Sequence, residues 1–143
     1  MMGRTGIAIA LTAIFIALGL LHVHWGFGGS SGRIASVPSV NGKPLFTPSP
    51  GGTLLVAVCL LLAAMVMAGV AGWLGATVPR TVFRLLTLGI SVVFLLRAIG
   101  DWRNVGFFQR RSESAFAYWD VRLYSPLCLL IAVGALVLAW SDR

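Results

Sequence analysis

The sequence predicts an all-α membrane protein folded as an antiparallel transmembrane four-helix bundle, and three observations carry that prediction. Hydrophobic residues make up 58% of the chain and charged residues only 10%, with a mean hydropathy of +0.92, far from the balance of a soluble domain. The apolar residues fall into four blocks, each close to the roughly 20 residues that a helix needs to cross a hydrocarbon core about 30 Å thick. Lipid offers no hydrogen bonds to exposed backbone, so each block must be helical, and connections as short as "GATVPRT" make neighbours antiparallel. A single domain over 1–143 is expected, with helices at about 5–27, 53–74, 82–102 and 117–140.

The first block follows Arg4 and precedes the small residues "GGSSG", the arrangement of a signal peptide. Its apolar run is longer than a usual signal core and ends in bulky aromatics without an A-x-A site, so it is read as a retained helix. The connection that follows, 28–52, is rich in proline, and Asn41-Gly42 between short apolar arms signals a two-residue hairpin turn. Pro38, Pro44, Pro48 and Pro50 confine any strands there to edges or extended chain. The segment reads either as a small lid over the bundle mouth or as an irregular connection without a role.

The second helix carries "AAMVMAGVAG" and the fourth "AVGALVLA", small faces suited to close packing in a membrane. In the third, "LLRAIGDW" places Arg97 and Asp101 one turn apart, and a charge at this depth needs a partner or a wet interior. Asp101 is the nearest candidate partner for Arg97, as a structural pair or as part of a site.

The fourth segment has two readings. On a continuous helix, Asp120, Tyr124 and Cys128 share one inward stripe and Arg122 points elsewhere. Alternatively Ser125-Pro126 starts the helix, with Ser125 as N-cap. Pro126 to Trp140 would then be roughly 22 Å long, short for a span.

The formal charge of +7 does not read as nucleic-acid binding, because the basic residues are scattered along membrane edges as helix-end anchors and headgroup contacts. Arg4, Arg80, Arg84 and Arg143 lie on one side. Arg33, Lys43, Arg97, Arg103, Arg110, Arg111 and Arg122 lie on the other. Setting aside Arg97 and Arg122, which sit beside acids, and Lys43, far from a helix end, leaves the count near balance. An inside amino terminus is then expected from Arg4 and the proline-rich loop.

Polar residues concentrate at the end holding the first and third connections, where "HVHWGFGG" and "DWRNVGFF" close odd-numbered helices in parallel fashion. A ligand mouth is therefore expected there, drawn from His22, His24, Trp25, Arg97, Asp101, Asp120 and Tyr124. His22 and His24 diverge by about 200° on a helix, so a shared transition metal or haem would require the helix to have unwound. The preferred reading gives them hydrogen-bonding or anchoring roles, one turned toward Asp101 or Asp120 and the other meeting headgroups or the lid. Cofactors are left open. Cys59 and Cys128 lack any C-x-x-C spacing and read as apolar filler.

Taken together, "LHVHWGFGG", "VPSVNGKPLFTPSP", "RAIGDWRNVGFF" and "FAYWDVRLYSPLCLL" resemble a family of small bacterial four-helix integral membrane proteins known only as a domain of unknown function. The resemblance covers nearly the whole chain. It implies the bacterial inner membrane and supplies no activity. Two functions stay open: binding of a small ligand, lipid headgroup or membrane-protein partner at the mouth, and catalysis on a lipid-soluble substrate. The second would use His22 or His24 as acid-base, Asp101 or Asp120 to orient it, and Arg97 to hold a negative group. Membrane lipids are expected partners under either, and nucleic acid is not.

Overall fold

In a computed structural model the four apolar blocks are four long helices. The structure describes residues 2–40, 43–74, 78–109 and 114–141. The Asn41-Gly42 turn, part of the second connection, and Arg110, Arg111 and Arg143 of the basic count lie outside the described residues.

Helix α1 runs over Met2–Gly26, and a single turn, α2, over Arg33–Ser36. Two two-residue strands follow, β1 (Ser39–Val40) and β2 (Lys43–Pro44), paired antiparallel with Ser39 opposite Pro44 and Val40 opposite Lys43. Helix α3 covers Pro50–Val70 and α4 covers Arg80–Ile99. The last span is continuous over Ala115–Trp140. It comprises α5 (Ala115–Trp119), a π-helical turn (Asp120–Tyr124) and α6 (Ser125–Trp140).

Helix starts and stops follow local chemistry. α3 begins at Pro50, three residues before the expected start, because Ser49 caps it, its hydroxyl accepting from the Gly52 N–H at 3.0 Å. α4 stops at Ile99, short of the expected 102, because Gly100 adopts φ 83°, ψ −163°, a conformation open essentially to glycine alone. In the last span the continuous reading holds and the Ser125 N-cap does not, with one departure from regular α-helix. The Ser125 N–H reaches back five residues to the Asp120 carbonyl, a π turn immediately before Pro126. The wider turn carries the preceding carbonyls past the proline ring, so the helix continues where an α-helical register would clash.

α1 packs along α3 and α4 along α6, and the two pairs join through narrower α1–α6 and α3–α4 contacts. The core lies in the half of the bundle away from the polar connections. Ala8, Leu11 and Phe15 of α1 meet Leu60, Ala63, Ala64 and Met67 of α3 and Ile131, Ala135 and Leu138 of α6. Phe15 and Phe94 tie the pairs edge to face, ring centres 5.4 Å apart. The Ser91 hydroxyl donates to the Ala132 carbonyl at 2.8 Å, an interhelical bond between α4 and α6 of the kind that lipid-embedded bundles use. Large apolar side chains such as Leu55, Leu62, Leu85, Val93, Leu130 and Val133 are exposed around the perimeter, as lipid contact requires.

Candidate functional site

Toward the polar end the two helix pairs separate and enclose a cavity of about 700 Å³, within the range of small-molecule sites. Its floor is Leu18, Leu60, Phe94 and Ile131, above the core. Higher up, His22 and Trp25 of α1, Thr53 and Val56 of α3, Arg97 of α4, and Tyr124, Leu127 and Cys128 of the last span form the walls. The first connection closes part of it with Ser36, Val37 and residues 46–49, and Phe116 contributes from α5.

The proline-rich connection is pinned over this space by hydrogen bonds that its own sequence supplies. The Trp25 indole N–H donates to the Ser31 carbonyl at 2.7 Å, and the Tyr124 hydroxyl to the Ala35 carbonyl at 3.2 Å. The Arg33 guanidinium reaches the Pro48 carbonyl at 3.4 Å, and the Leu45 N–H reaches the Pro38 carbonyl at 2.9 Å.

Arg97 is half-buried at the wall and pairs with Asp120, Nη2 to Oδ1 at 2.7 Å. This corrects the expected Arg97–Asp101 pair. Gly100 ends α4 between the two residues, so the one-turn spacing no longer applies to them. Asp120 is fully buried and accepts further bonds from the Gly106 N–H at 2.6 Å and the Gln109 amide at 3.3 Å, both on Oδ2. A single carboxylate thus joins α4, the last span and the third connection. Gln109, which also donates to the Ala117 carbonyl at 3.3 Å, carries no sequence signal that marks it for this role.

Asp101 is exposed and builds a turn instead. Its Oδ1 accepts from the N–H groups of Arg103, Asn104 and Val105 at 3.0, 2.7 and 2.9 Å. These bonds, that of Asn104 foremost, hold its pKa at about 2, below the ordinary 3.8. A carboxyl whose folded pKa is depressed contributes its stability above its unfolded value and loses it as pH falls through the folded one. Amide exchange at Asn104 and Val105, referred to an unstructured peptide, is therefore expected to stay slow down to pH 3.8 and to quicken as pH falls toward about 2. Asp101→Asn should abolish that acid step, and exchange that ignores pH in the parent chain would refute the assignment.

The histidines separate. α1 remains helical through Gly26, so the unwinding needed for a shared metal has not occurred. His22 lines the cavity, stacks edge-on with Trp25, and donates from Nδ1 to the Leu18 carbonyl at 2.8 Å. That oxygen can only accept, which assigns the proton to Nδ1. His24 is exposed in the last turn of α1. Among the described residues no group of three or more His, Cys, Asp or Glu is arranged to hold a metal ion.

Of the expected mouth, then, His22, Trp25, Arg97 and Tyr124 line one cavity. Asp120 supports Arg97 from behind, and His24 and Asp101 lie apart. Cys128 lines the cavity and Cys59 is exposed, both as free thiols. Arg122 lies over the Tyr118 ring at 3.9 Å, away from the inward stripe as its register predicts.

Four helices of spanning length and composition around a partly lined cavity define a small multi-pass integral membrane protein. The profile of DUF3995, a family described as proteins of unknown function, matches residues 15–135, and the chain belongs to that family. Neither a curated protein nor a solved structure matches it.

Proposed function

We propose that this protein is an integral component of a bacterial inner membrane that binds a lipid-soluble small molecule between its two helix pairs. The observation that carries the reading is the cavity of about 700 Å³, apolar over most of its wall and partly closed by the first connection. The sequence points to a polar mouth; the lining instead suits an apolar body with one polar end, so a small amphiphile fits better than a headgroup or a partner protein. The resemblance to bacterial membrane proteins supports the location.

Catalysis gains no comparable support. The catalytic site expected from the sequence needs a histidine within reach of Asp101 or Asp120, whereas His22 is bonded to the Leu18 carbonyl, Asp120 to Arg97 and Asp101 to its own turn.

Native mass spectrometry of protein extracted gently from its own membrane tests the proposal. A retained organic molecule is expected with the parent chain and is expected to be lost from Val56→Trp, which fills the space from α3. Equal retention by the two proteins, or none by the parent chain, would count against it.

A further inference from the structure

We infer that the occupant is an uncharged compound with an apolar body and a hydroxyl group, an alcohol or a phenol, whose O–H donates to Nε2 of His22; this rests on the ligand-binding reading above and narrows it to a chemical class. The half-buried His22 ring lines the cavity, and its Nδ1–H is spent on the Leu18 carbonyl of its own helix at 2.8 Å. The uncharged ring then presents a bare lone pair at Nε2. That nitrogen has no hydrogen-bond partner among the described residues, and it is not one of their fully covered atoms, so it keeps open surface. An acceptor left unmet in a mostly apolar space is costly, and a ligand O–H supplies what is missing.

The other polar side chains of the wall are placed differently. Trp25, Ser36, Thr53 and Tyr124 each spend their donor on a backbone carbonyl. Thr47 and Ser49 stand exposed on the first connection, where water meets their hydroxyls as readily as a ligand does, and Ser49 also accepts from the Gly52 N–H. Cys128 brings only a weakly polar thiol. The Arg97 guanidinium is matched by Asp120 at 2.7 Å, and its Nη1 is covered, out of a ligand's reach.

The charge and the proton of the ligand head follow. An anion finds no uncompensated cation on this wall and has no proton for Nε2. A carbonyl or an ether brings only lone pairs. An ammonium donates, but none of the described lining residues is a carboxylate that would balance its charge. A hydroxyl donates without carrying a charge. His22 lies one turn above Leu18 on α1, so a head held there leaves the body to the apolar floor of Leu18, Leu60, Phe94 and Ile131.

The test compares four probes with a common decyl chain on the full protein in detergent: 4-decylphenol, 4-decylanisole, decylbenzene and 4-decylbenzoate. The phenol is expected to bind about fivefold more tightly than decylbenzene, the scale of one uncharged hydrogen bond. The anisole, whose oxygen has no proton to give, is expected to match decylbenzene. His22→Phe keeps a ring in the wall and removes the acceptor, and should level the phenol with decylbenzene while decylbenzene binds as before. If that variant loses decylbenzene too, the order of phenol and anisole on the parent chain decides alone. A phenol advantage that survives an otherwise intact His22→Phe would overturn the assignment to Nε2. Equal gains for phenol and anisole would overturn it in favour of the Thr47 and Ser49 hydroxyls as donors, and tightest binding of the benzoate in favour of an anionic occupant. Equal binding of all four would overturn it and leave the cavity reading standing. If no probe binds the parent chain the inference falls, and the cavity reading stands or falls by what the native extract carries.

Discussion

Replacing Asp120 by alanine is expected to destabilise the bundle by about 3 kcal/mol, the lower end of the cost of stripping one partner from a buried ion pair, because the Arg97 left behind is only half-buried. Three groups lose an acceptor at once, of which only Gln109 keeps another, the Ala117 carbonyl. Arg97 keeps its charge without the carboxylate 2.7 Å away, and the Gly106 N–H and the Gln109 amide lose their bonds to Oδ2. The side chain is 0% exposed, so water cannot take over those bonds without opening the structure. Thermal unfolding in detergent should show a large drop in midpoint. Arg97→Met combined with Asp120→Leu should recover a substantial part of it, since removing both charges leaves no uncompensated ion. An unchanged midpoint for Asp120→Ala would mean the carboxylate is not what holds the third connection to the helices. The pair also bears on function, because Arg97 is presented at the cavity wall by the carboxylate behind it.

The four spans were legible because lipid leaves a chain little choice: an apolar run of spanning length must satisfy its own backbone. Arg97 was legible for the same reason, as a charge too deep to go unpartnered. Its partner was not, since helical spacing carries a register only as far as the helix continues, and Gly100 ends α4 before Asp101. The two Ser-Pro pairs show the same limit. Ser49-Pro50 caps a helix, while Ser125-Pro126 lies inside one, after a π turn whose first residue is anchored by Arg97 and the third connection. Locally the pairs are alike, and tertiary bonds to Asp120 separate them. The cavity has no linear signature at all, because it arises where two helix pairs diverge, and its aromatic lining comes from four separate stretches of chain. The divergence of His22 and His24 was legible, because residues two apart on a continuous helix point to different sides, and one faces that space while the other does not.

Gly106→Ala is expected to cost about 3 kcal/mol or more, and the reason lies in how the third connection turns back on α4. Gly106 has φ 92°, a left-handed conformation in which a side chain is strained by about 1–3 kcal/mol. A Cβ there would also run into the Ile99 carbonyl and the Gly100 backbone, neither of which can rotate away. Relief would require residues 100–107 to move outward. The Gly106 N–H would then leave Asp120, and the Phe107 N–H would leave the Ala98 carbonyl that it reaches at 2.9 Å. Each bond lost at a buried acceptor adds to the strain. Gly89→Ala is the matched control, because a Cβ there meets nothing within 4 Å and α4 gains a better helix former. Thermal unfolding should therefore fall sharply for Gly106→Ala and hold or rise for Gly89→Ala, with faster amide exchange over 100–109 only in the first. Equal midpoints would mean that this turn yields without disturbing Asp120. Since Asp120 is also what positions Arg97, the first variant should weaken ligand retention as well, although residue 106 is not part of the cavity wall.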